Sequence, residues 1–244
     1  MNIIIIGATG GIGNCLSHDL ATNHNLYIGS KNQEKVDTLI NDINVESNHN
    51  VSGSKLEASD FESIKEFLLN ANNYLGSIDC IINCVGSLLL KPAHTTSEEE
   101  LENIFKTNVF SCFGILKHSF KLLRNNGGSL IFFSSAASKV GLKNHEAIAS
   151  AKAAISSMVL SAASTYAKYN IRINAIAPGL VETPLTESIV SNKMSLDYSK
   201  NLHGLGRIGK PENFIPIINS LVDKRSDWIT GQTIFVDGGL SNVK

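Results

Sequence analysis

The sequence predicts a single-domain α/β protein over residues 1–244: a doubly wound, seven-stranded parallel sheet with helices on both faces. Three observations predict it. Strand-like and helix-like stretches alternate from end to end, the pattern of parallel strands joined by right-handed crossovers. The first strand, Asn2–Ile6, is an unbroken apolar run of four isoleucines, as expected of a strand buried on both faces. It leads directly into Gly7-Ala8-Thr9-Gly10-Gly11-Ile12-Gly13 and then a helix-like stretch. At 43% hydrophobic, 244 residues suffice for one full core.

The elements follow in order. After the first helix, Asn25–Gly29 reads as the second strand. Gln33–Ile43 reads as a helix, with Val36, Leu39, Ile40 and Ile43 at helical spacing. The polar tract Asn41 to Asn50 reads as a surface loop and Val51–Leu56 as a weak third strand. Asp60 is placed to cap a helix that buries Phe61, Ile64, Phe67 and Leu68. Ile78–Cys84 is the fourth strand. Ser97 opens a long helix through Leu123, and Glu98, Glu99 and Glu100 complement the dipole at that end. Ser129–Ser134 is the fifth strand, and Asn144 caps a helix to about Lys168. Ile171–Ala177 is the sixth strand, a helix starts near Pro211, and Thr233–Val236 is the seventh strand.

Composition narrows the classes. A net charge of −1 supplies no basic field for nucleic acid or anionic membrane. The purely apolar runs fall far short of a membrane span, and the first is already used as a strand, so neither a membrane anchor nor a secretory leader is expected. Cys15, Cys80, Cys84 and Cys112 form no zinc-type pattern and read as reduced, mostly buried thiols of a cytoplasmic protein with no metal.

The glycine turn points to a ligand. Glycines let the backbone turn sharply and approach a bound group with no Cβ in the way. The helix that follows offers unpaired N–H groups and a positive dipole end, a ready site for a pyrophosphate. The spacing is Gly7-x-x-x-Gly11-x-Gly13. Further motifs fall at strand ends: Asn83-Cys84-Val85-Gly86, Asn108-Val109, Ser134-Ser135, Ser150-Ala151-Lys152-Ala153-Ala154, Pro178-Gly179-Leu180-Val181-Glu182-Thr183, and Ile229-Thr230-Gly231-Gln232 with Val236-Asp237-Gly238-Gly239. In order and spacing the whole chain resembles the classical short-chain dehydrogenase/reductase family.

That resemblance implies a Rossmann fold, a nicotinamide cofactor and hydride transfer between the cofactor and a small carbonyl or alcohol. Gly7, Thr9, Gly11, Ile12 and Gly13 are then the phosphate turn. Glu57 and Ala58 match the family's Asp-Val pair around the adenine. Asn83, Gly86, Pro178, Gly179, Val181 and Thr183 border the ribose and nicotinamide. Thr183 has a second reading, as the cap of the helical segment after it. An acid at the end of the second strand would bond the adenosine ribose of NAD(H). The sequence has Gly29-Ser30-Lys31-Asn32 there, and Ser30 and Lys31 favour the 2′-phosphate of NADP(H), with NAD(H) the alternative.

By position, the family's lysine is Lys152, its serine Ser135 and its asparagine Asn108. Its proton-transferring tyrosine falls at residue 148, which is Ile148. No tyrosine lies between Ser135 and Lys152. Isoleucine transfers no proton, so the expected relay is modified, with Lys152 first, His145 second and Glu146 third as substitutes. The stretch 182–206 lacks regular periodicity and corresponds to the family's substrate lid, from which Tyr198 or His203 would reach the site. The rival reading is an NADP(H)-binding sensor or scaffold without turnover. The resemblance also implies a homotetramer or homodimer built on the helices 97–123 and 144–168 and on the C-terminal strand region. No nucleic-acid or membrane partner is expected.

Overall fold

Four consecutive isoleucines make a strand that must be buried on both sides, and the structure is arranged around it. The computed structural model describes residues 1–46 and 49–243. In strand β1 (Asn2–Ile6), Ile3 to Ile6 are fully buried. Alternation sends Ile4 and Ile6 into one core and Ile3 and Ile5 into the other.

Six further strands join it: β2 (Asn25–Ser30), β3 (Val51–Lys55), β4 (Cys80–Asn83), β5 (Gly128–Phe133), β6 (Ile171–Pro178) and β7 (Thr233–Val236). All pair in parallel, in the order β3-β2-β1-β4-β5-β6-β7. Ile6 lies beside Gly29 of β2 and Asn83 of β4. The strand order reverses between β1 and β4, where ligands of such sheets bind.

Helices cover both faces. On one side, α1 (Gly11–Ala21), α2 (Gln33–Glu46) and α9 (Ile215–Val222) bury Leu16, Leu20, Val36, Leu39, Ile43 and Ile218. On the other, α3 (Phe61–Leu75), α5 (Ser111–Leu123) and α6 (Glu146–Tyr166) bury Ile64, Phe67, Ile115, Leu116, Ile155 and Val159. Two short helices, α7 (Glu187–Val190) and α8 (Lys193–Leu202), lie between β6 and α9. Asp60 caps α3 by accepting from Glu62 N–H at 2.9 Å. Ser97 opens α4 (Glu98–Phe105) with a capping box: its hydroxyl accepts from Glu100 N–H, and the Glu100 carboxylate accepts from Ser97 N–H at 2.8 Å.

Four local expectations are corrected. The helix from Ser97 to Leu123 is interrupted by a π turn, Lys106–Phe110, where Ser111 N–H donates to Lys106 O. Asn144 does not cap α6. It sits at φ 62° with its carbonyl accepting from Lys91 N–H at 2.8 Å, and His145 precedes the first helical residue. Residues 41–46 of the tract read as a loop belong to α2, because Ile43 completes its apolar face, whereas residues 47–48 lie outside the described residues. Finally, Glu146–Tyr169 is long and apolar enough by composition to cross a membrane. Here it packs along β6, with Ile155 and Val159 fully buried in the core.

Candidate active site

The carboxyl ends of β4, β5 and β6 and the first turn of α1 converge on one cavity of about 680 Å³. The glycine turn lies beside it and meets the lining at Ile12. Gly7, at φ 79°, ends β1, and its N–H donates to Gly29 O at 2.8 Å. A Cβ there would lie 2.8 Å from Val85 N, so the turn can press against the loop after β4 only without a side chain. A Cβ on Gly11 would strike Thr183 at 2.7 Å, and one on Gly13 would collide with the Gly7 carbonyl. Gly10 caps α1 without any side-chain bond, and the first turn carries no acid. The α1 N-terminus therefore keeps free N–H donors and an uncompensated positive end. These features fit a dinucleotide phosphate, and Gly11, Ile12 and Gly13 would hold it.

A charge pair stands at the ends of β2 and β3, where the family resemblance puts the adenosine. Thr9 and Ser30 hydroxyls bond at 2.6 Å. Lys31 reaches Glu57 at 3.3 Å, linking the ends of β2 and β3. The Glu57 carboxyl is held below its ordinary range, chiefly by the Ser59 hydroxyl and also by Lys31. No acid ends β2, but one is brought to Lys31 from β3. Ala58 is buried in the core beneath them.

The chemical end is the neighbourhood of Lys152. α6 carries this residue inward, where it is 7% exposed, and Nζ donates to Phe133 O at 2.9 Å. Burial lowers its pKa from 10.5 to about 8, with Cys112 and Cys84 pulling weakly the other way. A Cβ on Gly86 would lie 3.5 Å from that Nζ and 3.4 Å from Asn108 Oδ1. Asn108 sits in the π turn, fully buried. Its Nδ2 donates to Ser87 Oγ and Ile104 O, both at 2.9 Å. Its main-chain carbonyl accepts from the Cys112 thiol at 3.1 Å. Ser135 Oγ accepts from Ala137 N–H at 3.1 Å.

Residue 148 is one helical turn before Lys152, as the spacing requires, and the Ile148 side chain is 4% exposed. It packs with Ile104 and Ala151, and Leu88, Leu89 and Phe105 close the cluster. His145 lines the cavity mouth with Nδ1 donating to Lys143 O at 2.7 Å, and its Nε2 has no partner among the described residues.

Not every predicted residue points into the cavity. Asn83 turns its side chain inward: Nδ2 donates to Cys112 Sγ at 3.2 Å and Oδ1 accepts from Val85 N–H. It shapes the turn after β4 and offers a ligand nothing but backbone. Thr183 lines the cavity and also bonds to Thr186 Oγ1 at 3.1 Å at the start of the next turn. Pro178, Gly179 and Val181 line the cavity. His203, read as a possible donor from above, has both nitrogens occupied. Nδ1 donates to Ser199 O at 2.6 Å and Nε2 accepts from Leu180 N–H at 3.1 Å, so it ties α8 to β6 instead. The 182–206 stretch holds a 3-10 turn, Pro184–Thr186, and two short helices; Leu185 lines the cavity from the turn and Met194 and Tyr198 from α8. Ser87 was not singled out from the sequence. A polar residue opening the apolar run Ser87-Leu88-Leu89-Leu90, directly after Gly86, was the available signal.

The comparisons with known proteins agree with this geometry. The family model described as enoyl-(acyl carrier protein) reductase matches residues 7–241. A chloroplastic tropinone reductase homolog of Arabidopsis thaliana is 33% identical over 99% of this chain and 76% of its own. The 3-oxoacyl-(acyl-carrier-protein) reductase FabG of Thermotoga maritima is 30% identical over 97% of this chain and 96% of its own. The solved structure of ElxO with NADP bound superposes with a TM-score of 0.91 at 26% identity, covering 98% of each chain. With its seven parallel strands, its glycine cradle and a family match across nearly its whole length, this chain belongs to the classical short-chain dehydrogenase/reductase family of oxidoreductases.

Proposed function

We propose that this protein is an NADP(H)-dependent oxidoreductase acting on a small carbonyl or alcohol, with the Lys152 ammonium holding the proton that a phenol would otherwise supply. The observation that carries the reading is the buried Nζ of Lys152, set 2.9 Å from Phe133 O at the cavity floor. When bound, the nicotinamide supplies or accepts the hydride. The residues do the rest. Ser135 donates its hydroxyl proton as a hydrogen bond to the substrate oxygen. As that oxygen gains charge during reduction, Lys152 transfers one proton to it and becomes a neutral amine, which solvent reprotonates. A pKa of about 8 keeps Lys152 mostly protonated at neutral pH and a better acid than an exposed lysine. His145, with Nε2 open at the mouth, is the second candidate. Lys31 and Ser30 support NADP(H) over NAD(H), and ElxO, a relative of the same fold, has NADP bound.

The rival reading, a cofactor-binding sensor or scaffold, is favoured by one observation: the Ile148 position is filled by packed apolar side chains. Titration of NADPH and NADH by nicotinamide fluorescence, then a carbonyl panel with wild type and Ile148→Tyr, separates the two. Turnover by wild type that falls as pH rises through about 8 supports the Lys152 relay. Tight NADPH binding with turnover only in the Ile148→Tyr variant supports the sensor. We further propose self-association as a homotetramer or homodimer through α5 and α6, whose Phe113 and Leu160 are 53% and 61% exposed. Residues 182–206 are the proposed lid. The free thiols suit a reducing compartment, and the cytoplasm is the proposed location.

A further inference from the structure

Two hydroxyls that share the cavity lining with Lys152 carry protons that no group among the described residues accepts. Ser87 lies just beyond β4 and Ser135 just beyond β5, and these strands are neighbours. Asn108 fixes Ser87 twice: its Nδ2 donates to Ser87 Oγ at 2.9 Å, and its Oδ1 accepts from Ser87 N–H at 3.3 Å. Ser135 Oγ likewise accepts, from Ala137 N–H at 3.1 Å. In each serine an N–H donor occupies an oxygen lone pair, so the hydroxyl proton remains for a ligand. Ser134 shows the contrast, because its Oγ donates to Lys152 O at 2.9 Å and its proton is already placed.

Lys152 measures how closely the two loops approach. Its Nζ is 2.9 Å from Phe133 O, near Ser135, and 3.5 Å from the Cβ position of Gly86, next to Ser87. The ammonium therefore lies between the segments that carry the two hydroxyls. Around them the wall is apolar. Ile148 packs with Leu88 and Leu89, and Leu142, Leu185 and Met194 extend the lining. Among the described residues lining the cavity there is no carboxylate and no arginine, and Lys143 stands exposed at the mouth. A cationic substrate group would thus find no buried partner and an anionic one only Lys152, whereas a neutral apolar one would lose little on entry.

We infer that Ser87 and Ser135 form a two-hydroxyl cradle for the oxygen of a neutral, apolar ketone or aldehyde, Ser87 giving the second hydrogen bond that Ile148 cannot give. This rests on the oxidoreductase reading. The cradle polarises the carbonyl and stabilises negative charge on its oxygen, and Lys152 remains the proton source. Ser87 is then a catalytic residue and Asn108 its positioning residue.

The test uses the whole protein with NADP⁺ and acetophenone carrying a ¹³C carbonyl. NADPH affinity is measured first by fluorescence; failure to bind there sinks the oxidoreductase reading and the cradle with it. In the NADP⁺ complex the bound carbonyl carbon is expected to move downfield in wild type. Ser87→Ala should lose a large part of that displacement and Ser87→Thr should regain it, with NADPH affinity unchanged in both. Acetophenone reduction by Ser87→Ala should fall about 10- to 100-fold in kcat/KM, the range for losing one hydrogen bond to a charged oxygen. Ser87→Ala leaves Asn108 Nδ2 bonded to Ile104 O, so a fold defect is not expected, and an unchanged melting temperature checks this. NADPH binding together with no acetophenone binding, no downfield displacement in wild type, or an Ser87→Ala variant equal to wild type overturns the cradle while leaving the oxidoreductase reading in place.

Discussion

Replacing Lys152 with methionine should stabilise the cofactor-free protein and cripple it as an enzyme. Burial lowers the folded-state pKa of Lys152 from 10.5 to about 8. Each pKa unit is worth about 1.36 kcal/mol, so keeping this ammonium charged inside the protein at pH 7 opposes folding by about 3 kcal/mol. Between the two pKa values the unfolded chain binds more protons than the folded one. Stability contributed by this group therefore rises with pH across that window, by about 2 kcal/mol from pH 7 to pH 9.5. Cys84 and Cys112 act in the opposite sense, because burial raises both thiols and the unfolded chain loses its protons first. Lys152→Met removes the first effect and keeps the second. It also forfeits the bond to Phe133 O, worth about 1 kcal/mol. The net expectation at pH 7 is a gain of about 1–2 kcal/mol, or about 2–8 °C in Tm for a chain of this size. Thermal unfolding followed by circular dichroism at the two pH values reads it directly. The gap between variant and wild type should shrink at pH 9.5, while turnover falls by about 10² or more. A variant that melts below wild type at pH 7, or a gap that ignores pH, would refute the account of Lys152 as a strained, functional ammonium.

Gly7→Ala places a Cβ at φ 79° and 2.8 Å from Val85 N; it should lose about 2 kcal/mol or more by urea denaturation and bind NADPH poorly. Lys31→Ala should weaken NADPH about tenfold and leave NADH unchanged, as expected for one lost phosphate contact. Glu57→Gln, which frees Lys31 from its ion pair, should shift the NADPH:NADH ratio the other way in the same fluorescence titration. Ile148→Tyr introduces a phenol into the packed cluster around Ile104 and should gain turnover if the missing proton donor limits the chemistry, as steady-state reduction of a ketone panel will show.

Elements with a local signal were legible. The isoleucine run, the glycine turn and the caps at Asp60 and Ser97 depend on neighbours in sequence, and all were read in place. What was missed depends on tertiary contact. The Lys31–Glu57 pair joins two strand ends 26 positions apart, and nothing local to either residue announces it. His203 reads as a free imidazole until Leu180 N–H and Ser199 O are brought to its two nitrogens. The 182–206 stretch hid its helices because α8 buries no residue, so no apolar period was written into it. Asn144 has the chemistry of a cap but is spent on a left-handed turn that meets Lys91.

The π turn at Lys106–Phe110 sets a phase as well as a kink. One residue beyond the regular repeat rotates everything before it by about 100° relative to everything after. That offset lets Ile104 look toward Ile148 while Cys112 and Ile115, on the far side of the turn, look into the sheet core. Deleting a single residue there would give a more regular helix with its two halves aimed at the wrong neighbours. Substitutions can tune this segment gradually, but its length admits no intermediate value. Shortening of this helix in a descendant of the chain should therefore come with a wholesale reworking of the Asn108–Ser87 contact, and never as an isolated change.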